Sequence, residues 1–259
     1  MNVLCVGDVV GKNGCEALRK NLPALKKLKG IDLTIVNGEN SATGNGILPG
    51  SAEHIFTSGA DVITTGNHVF RRHEIYSFLE ENDSIVRPAN FPESAPGKGM
   101  CIVDMGRTVA AVINIMGVTY MEPLKNPFET ADAMIDKAKA AGAKLIFVDF
   151  HAEATAEKRA LGFYLDGRVT ALFGTHTHVQ TSDAEILPQG TGYITDLGMC
   201  GPRWSVLGVK PELAIQKMKN MLPVRFDNAD GESVLGGCIF EVDEKTGKTT
   251  GAEAVTLFC

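Results

Sequence analysis

Four of the six histidines fall in short polar stretches behind apolar runs: His68 in T-G-N-H, His151 in D-F-H-A-E, and His176 and His178 in F-G-T-H-T-H. Asp8 follows another apolar run in V-G-D-V-V-G, and Glu39 and Asn40 close V-N-G-E-N. Asn67 stands beside His68. Imidazole, carboxylate and carboxamide groups without sulfur suit iron, manganese, zinc or cobalt rather than thiolate-held structural zinc. Asp8, Glu39, Asn40, Asn67, His151, His176 and His178 are too many donors for one tetrahedral site, so two ions are the economical reading. In two-metal hydrolases the ions lie roughly 3.5–4 Å apart and clamp the attacking and leaving oxygens of an in-line displacement. A bridging carboxylate then offsets their mutual repulsion.

Each residue also has an ordinary reading. Asp8 near Gly11 fits a turn before a helix, Asn67-His68 fits another turn, and His151 alone fits a core histidine bonded to backbone. In an extended chain alternate side chains face the same way, so His176 and His178 are expected to point together. Asn37-Gly38 would ordinarily mark a hairpin. No second strand follows it, so the turn is expected to carry the chain off a strand end and present Glu39 and Asn40.

Positioning these groups takes a framework. Short apolar runs at 3–6, 32–36 and 61–65 alternate with helical patterns at 13–28, about 50–59 and about 72–81. This is the rhythm of a mostly parallel sheet covered by helices. The carboxyl ends of parallel strands share one edge, and the candidate residues fall there. Near residue 100 the rhythm changes, and 100–105 and 109–115 read as a hairpin. A helix follows, capped by Asn126, opened by Pro127, with Glu129 at the capping-box distance and Gly142 at its end. Strands are expected at 144–150, 169–174 and 192–196, and helices at about 155–164 and from Pro211 to about 220. Two strands, at 236–243 and 251–258, flank the turn E-K-T-G-K. No repeat or linker interrupts the chain, so residues 1–259 are expected to form one α/β domain of two packed sheets with helices outside.

The hydrophobic fraction of 44% in 259 residues is enough for a sizeable core. No apolar run reaches the roughly 18 residues of a membrane span. The N-terminal stretch lacks the basic region of a secretion signal. The six cysteines are scattered and none forms C-x-x-C. Reduced thiols and a cytoplasmic location are therefore expected. A net charge of −6 without a long basic run argues against gripping long nucleic acid. It leaves room for a small phosphorylated substrate.

The motifs G-D at 7–8, G-E-N at 38–40, G-N-H at 66–68, His151 and G-T-H-T-H at 174–178 occur in the order seen in the calcineurin-like metallophosphoesterases. The chain resembles that superfamily, which implies a four-layer α/β/β/α sandwich. Three positions depart from the usual pattern. Val10 replaces the histidine of D-x-H, Glu39 stands where an aspartate is usual, and Val69 follows His68 where an acidic residue is usual. These departures resemble the bacterial 2′,3′-cyclic-nucleotide 2′-phosphodiesterases. So do G-D-V-V-G at 7–11, R-P-A-N at 87–90, H-A-E-A-T-A-E-K at 151–158 and T-D-L-G-M-C-G-P at 195–202.

The resemblance implies that Asp8, Glu39, Asn40 and His178 hold one metal, and Glu39, Asn67, His151 and His176 the other. His68 would be the catalytic proton donor, without binding metal. Iron or manganese is favoured, with zinc possible. The substrate would be a small cyclic nucleotide, and a homodimer or tetramer is expected. A phosphomonoesterase, a nuclease or a metal-stabilised nucleotide-binding regulator are the competing readings. Gly44-Asn45-Gly46 could bring backbone amides to a phosphate, Trp204 could stack on a base, and Arg87 and Lys158 could pair with phosphate. A flexible loop, a packed lid residue and structural ion pairs are the alternatives.

Overall fold

The computed structural model describes residues 1–259. In chain order the elements are β1 (Asn2–Val6), β2 (Asp8–Val9), α1 (Gly11–Lys29), β3 (Ile31–Asn37), α2 (Pro49–Thr57), β4 (Val62–Thr64), α3 (Ile75–Glu81) and β5 (Ile85–Val86). Then come β6 (Met100–Asp104), β7 (Val109–Met116), α4 (Pro127–Ala140), β8 (Leu145–His151), α5 (Thr155–Leu165), β9 (Ala171–Thr175), β10 (Glu185–Ile186) and β11 (Gly192–Ile194). The chain ends with β12 (Met199–Pro202), α6 (Pro211–Asn220), β13 (Ser233–Val242) and β14 (Thr249–Phe258).

Two mixed sheets face each other. One has the order β2-β12-β13-β1-β3-β4-β5, with β14 also on β13; the other has the order β10-β11-β9-β8-β7-β6. In the first, β1, β3, β4 and β5 are parallel. In the second, β7, β8, β9 and β11 are parallel. The expected hairpin is β6 against β7, and the two C-terminal strands pair as β13 and β14.

Side-chain alternation sorts the apolar residues into three layers of core. On β1, Val3 and Cys5 enter the core between the sheets, while Leu4 and Val6 face the helices outside. Leu18, Leu22 and Leu25 of α1 recur at helical spacing and close that outer core. Ala131, Ile135 and Ala138 of α4, with Leu161 and Leu165 of α5, cover the other sheet. The result is the expected α/β/β/α order. Each large apolar side chain buried this way contributes about 1.5–3 kcal/mol.

The same alternation explains where the core becomes polar. Leu33 and Ile35 of β3, Val62 of β4, Ala110 and Val112 of β7, Leu145 and Phe147 of β8, and Ala171 and Phe173 of β9 point between the sheets. The next residues in register on those faces are Asn37, Thr64, Asn114, Asp149 and Thr175, all buried. The inter-sheet core thus passes into hydrogen-bonding groups toward the carboxyl ends of its strands.

Several local expectations need correction. The first helix begins at Gly11, and the helix expected at about 72–81 is α3, which starts only at Ile75 and is preceded by a short 3₁₀ turn, Val69–Arg71. Asn126 caps α4 by accepting from Phe128 N at 2.9 Å, without the reciprocal bond from Glu129. β2, β5, β10 and β12 are too short to show a periodic pattern.

Candidate metal centre

Asp8 lies at the start of β2, separated from β1 by Gly7 alone. Asn37 ends β3; its side-chain oxygen accepts the Glu39 amide at 3.2 Å, and its amide group donates to Asp149 at 3.0 Å. Gly38 is not in the left-handed region, so Asn37-Gly38 is no hairpin turn. The strand pairing simply continues to Gly38, whose amide donates to Thr64 O, and the chain then bends to present Glu39 and Asn40. Asn67 and His68 follow β4, and His151 ends β8. A β-carbon on Gly66 would lie 2.3 Å from both Glu39 Oε2 and His151 Nε2. The glycine of G-N-H is therefore required by the packing of the site itself.

All seven candidate ligands and His68 come together. His151 Nε2 lies 3.1 Å from Glu39 Oε1, 3.1 Å from Asn67 Oδ1 and 3.1 Å from His176 Nδ1. His178 Nε2 lies 3.2 Å from Asn40 Nδ2 and 3.5 Å from Asp8 Oδ1. Asn40 Nδ2 is also 3.3 Å from Glu39 Oε1, which connects the two groups. His68 stands at the edge, with Nδ1 3.4 Å from Glu39 Oε1 and 3.0 Å from Asn40 Oδ1, and its backbone amide donates to Glu39 Oε2 at 3.1 Å.

His176 and His178 do not reach the site by extended-chain alternation. Their φ angles are 99° and 63°, both in the left-handed region. This conformation costs about 1 kcal/mol or more for a residue with a side chain. The surroundings hold it. The His176 amide donates to Asp8 Oδ2 at 3.0 Å, and the Thr177 amide to Asp196 Oδ2 at 3.1 Å. Buried Lys158 donates to the same Asp196 oxygen at 2.7 Å and to Thr175 O at 2.8 Å. Lys158 is thus a strut between α5 and the histidine turn rather than a phosphate ligand.

Each of the three histidines has its outward nitrogen fixed. Thr175 donates its hydroxyl to Asp149 at 2.7 Å, so at 2.8 Å it must accept from His151 Nδ1–H. His176 Nε2 lies 3.1 Å from Glu153, and His178 Nδ1 lies 2.9 Å from Leu207 O. These partners leave His151 Nε2, His176 Nδ1 and His178 Nε2 as lone-pair donors facing inward. Asn40 has its NH₂ group toward His178 and its oxygen toward His68. An amide has nearly the same shape either way round. With the opposite assignment Oδ1 faces the centre and Nδ2 donates to His68 Nδ1.

The charges favour a cation. Asp8, Glu39 and His151 are fully buried, and Asp8 Oδ1 accepts no hydrogen bond. Burial pushes the Asp8 and Glu39 carboxyls up, but His178 and His151 respectively prevail and hold them below the ordinary range. Burial pushes His151 down, yet Glu39 and Asp8 raise it to about 9. Burial and the neighbouring His151 lower His176 to about 4. In the protein alone, protons on imidazole balance the buried carboxylates. Divalent cations fit the same need, and the inward lone pairs and the unpartnered Asp8 oxygen provide their donors.

The other sequence candidates do different work. Arg72 donates to the carbonyls of Thr43 and Asn45, and Gly46 O accepts from Ala42 N, so the 44–46 loop is tied through its carbonyls. Buried Arg87 donates to Pro88 O, Pro92 O and Ala95 O. Trp204 donates to Glu232 and lies under the Arg203 guanidinium. Sequence reasoning missed Asp149, Glu153, Thr175 and Asp196. A carboxylate two residues from a ligand histidine, as in D-F-H and H-A-E, was the available signal.

Residues 4–255 match the YmdB-like protein family. The chain is 46% identical to a Bacillus subtilis (strain 168) protein named 2′,3′-cyclic-nucleotide 2′-phosphodiesterase, over 257 residues covering 99% of this chain and 97% of that one. A crystal structure of a hypothetical protein from Thermus thermophilus has a TM-score of 0.94 and 36% identity, covering 100% of this chain and 99% of that one. One described as a novel phosphatase of Mycoplasma pneumoniae has a TM-score of 0.93 and 35% identity, covering 100% and 93%. A 5′-nucleotidase precursor from Thermus thermophilus, at 13% identity and a TM-score of 0.59, shares the fold over 99% of this chain and 54% of its own. With the family match over residues 4–255 and the 46% identity over nearly its whole length, the chain belongs to the YmdB-like protein family.

Proposed function

We propose that this protein is a two-metal phosphodiesterase that opens 2′,3′-cyclic nucleotides to 3′-monophosphates. The single observation that carries the reading is the division of the ligand groups about Glu39. Asn67 and His176 gather at His151, which is 3.1 Å from Glu39 Oε1, and Asp8 and Asn40 gather at His178, with Asn40 3.3 Å from the same Glu39 oxygen. A shared buried carboxylate between two donor sets suits a pair of cations. The identity to the B. subtilis phosphodiesterase over nearly the whole of both chains supports the substrate class.

In this reading Asp8, Glu39, Asn40 and His178 hold one ion, and Glu39, Asn67, His151 and His176 the other, with Asn40 turned so that its oxygen faces inward. Iron or manganese suits the three imidazoles and the oxygen donors, and zinc is accommodated too. When bound, the ions supply Lewis-acid polarisation of the phosphodiester and a water of lowered pKa as nucleophile. The chain's own residues do the rest. Glu39 and Asp8 supply buried negative charge that offsets part of the cations' charge. His68, beside Glu39 and Asn40, delivers a proton to the departing ribose 2′-oxygen, which leaves poorly as an alkoxide. Its neighbour Val69 is fully buried and offers no carboxylate. Glu39 and Asn40 take over the orienting role that an acidic residue at that position would have.

The test pairs elemental analysis of gently purified protein with product identification. Protein carrying about two metal ions per chain should convert 2′,3′-cyclic AMP to 3′-AMP and lose this activity to a chelator. Conversion of 3′,5′-cyclic AMP or of a phosphomonoester at comparable rates would replace the reading with a broader phosphodiesterase or a phosphomonoesterase. No turnover of any of the three by metal-replete protein would favour a nucleotide-binding regulator.

A further inference from the structure

The segment from Gly117 to Lys125, between β7 and α4, forms one side of a depression of about 370 Å³. Its lining residues are Asn67, His176, Tyr120, Met121 and Glu122. Two of these belong to the candidate metal centre, and the other three are consecutive residues of the loop. A larger depression, of about 600 Å³ beside Arg87 and α4, includes none of the centre's residues.

The loop is fastened at both ends. The Gly117 amide donates to His151 O at 3.0 Å, and the Val118 and Thr119 amides donate to Glu157 at 3.0 and 3.3 Å. A β-carbon on Gly117 would lie 2.5 Å from Glu157 and 2.6 Å from Ala152, so only glycine permits this approach. Buried Asn90 ties the two ends together, donating to Met116 O at 2.8 Å and Lys125 O at 3.2 Å and accepting the Met116 amide at 3.0 Å. Asn90 and Glu157 come from the R-P-A-N and H-A-E-A-T-A-E-K motifs. They give these motif positions a task outside the metal centre.

At the tip of this anchored loop, Tyr120 is 89% exposed and has a φ of 62°. A large aromatic residue is held in the left-handed region, where glycine or asparagine is cheaper, and buries almost none of its ring. Its surface is spent on neither core nor helix packing. With Asn67 and His176 of the candidate centre it lines a single depression. We infer that Tyr120 is the base-stacking residue of the substrate site, with Met121 and Glu122 completing the wall. Exposed aromatic rings take unstacked bases in this way with little sequence preference. The inference rests on the cyclic-nucleotide reading above. It also moves the stacking role from Trp204, whose indole is engaged by Glu232 and Arg203.

The experiment compares kcat/KM for 2′,3′-cyclic AMP with that for a ribose 2,3-cyclic phosphate carrying no base. In Tyr120→Ala the ratio of the two should fall about 5- to 150-fold, the range of one base–aromatic stack. In Tyr120→Phe it should stay within about threefold, since the ring face is kept. An unchanged ratio in Tyr120→Ala overturns the inference, as does an equal loss on both substrates. Calorimetric binding of 3′-AMP provides a second arm. Wild-type protein that binds 3′-AMP but hydrolyses neither cyclic phosphate would defeat the phosphodiesterase reading. Weaker binding by Tyr120→Ala would still support the stacking role there, and equal binding would refute it.

Discussion

Single residues decide what this centre can do, and two of them are separable by experiment. Glu39 lies between the two donor sets, whereas His68 touches them only through Glu39 and Asn40. His68→Ala should keep its metal content and lose about 10²- to 10⁴-fold in kcat, the usual range for a positioned proton donor. Glu39→Gln should lose both metal and rate. Elemental analysis alongside single-turnover kinetics checks the pair; metal loss in His68→Ala would make that histidine a ligand. The residues themselves were legible in the sequence because histidine and carboxamide behind an apolar run are uncommon and recur here. Their orientation was not. The left-handed backbone at His176 and His178 depends on Asp8, Lys158 and Asp196, which approach from distant parts of the chain. No spacing rule for T-H-T-H contains that information.

The elements were legible wherever they are long. Strands such as β3, β7, β8 and β13, and helices α1 and α4, have enough residues to express a period of two or of 3.6. The two-residue strands are fixed by their partners: β2 exists because Met199 and Cys200 of β12 lie alongside Asp8 and Val9. Helix α5 shows how an element can act at a distance. Through Lys158 it fixes Thr175 O and, with Asp196, the amide of Thr177. Both partners are almost completely buried. Lys158→Met leaves the Asp196 carboxylate without its counter-charge, which should cost about 3–5 kcal/mol. Adding Asp196→Asn removes that charge and keeps one acceptor oxygen where Thr177 and Gly198 now use two, so the double variant should recover part of the loss. Urea denaturation of the metal-free proteins measures both. A double variant no more stable than the single one would mean the pair is not coupled.

At the scale of the whole molecule, five of the six cysteines are buried and Cys259 is exposed. Native protein should therefore react rapidly with one equivalent of a thiol reagent, and with five more only after unfolding. Several fast thiols would show that the inter-sheet core is not closed around Cys5, Cys101 and Cys238. No helix is long and apolar enough to cross a membrane. The order of the strands in the first sheet has a further consequence for how the protein is made. β13 lies in its middle, paired along one edge with β1 and β12 in succession and along the other with β14, so that Asn2 meets Glu241. Chains leave the ribosome from the N-terminus at about 5–20 residues per second. For tens of seconds β1 must therefore wait, its future neighbour not yet synthesised. The turn that fixes His178 through Leu207 also emerges late. The candidate centre is thus complete only near the end of translation, and in a chain stalled on the ribosome before residue 207 the His178 turn lacks its Leu207 partner.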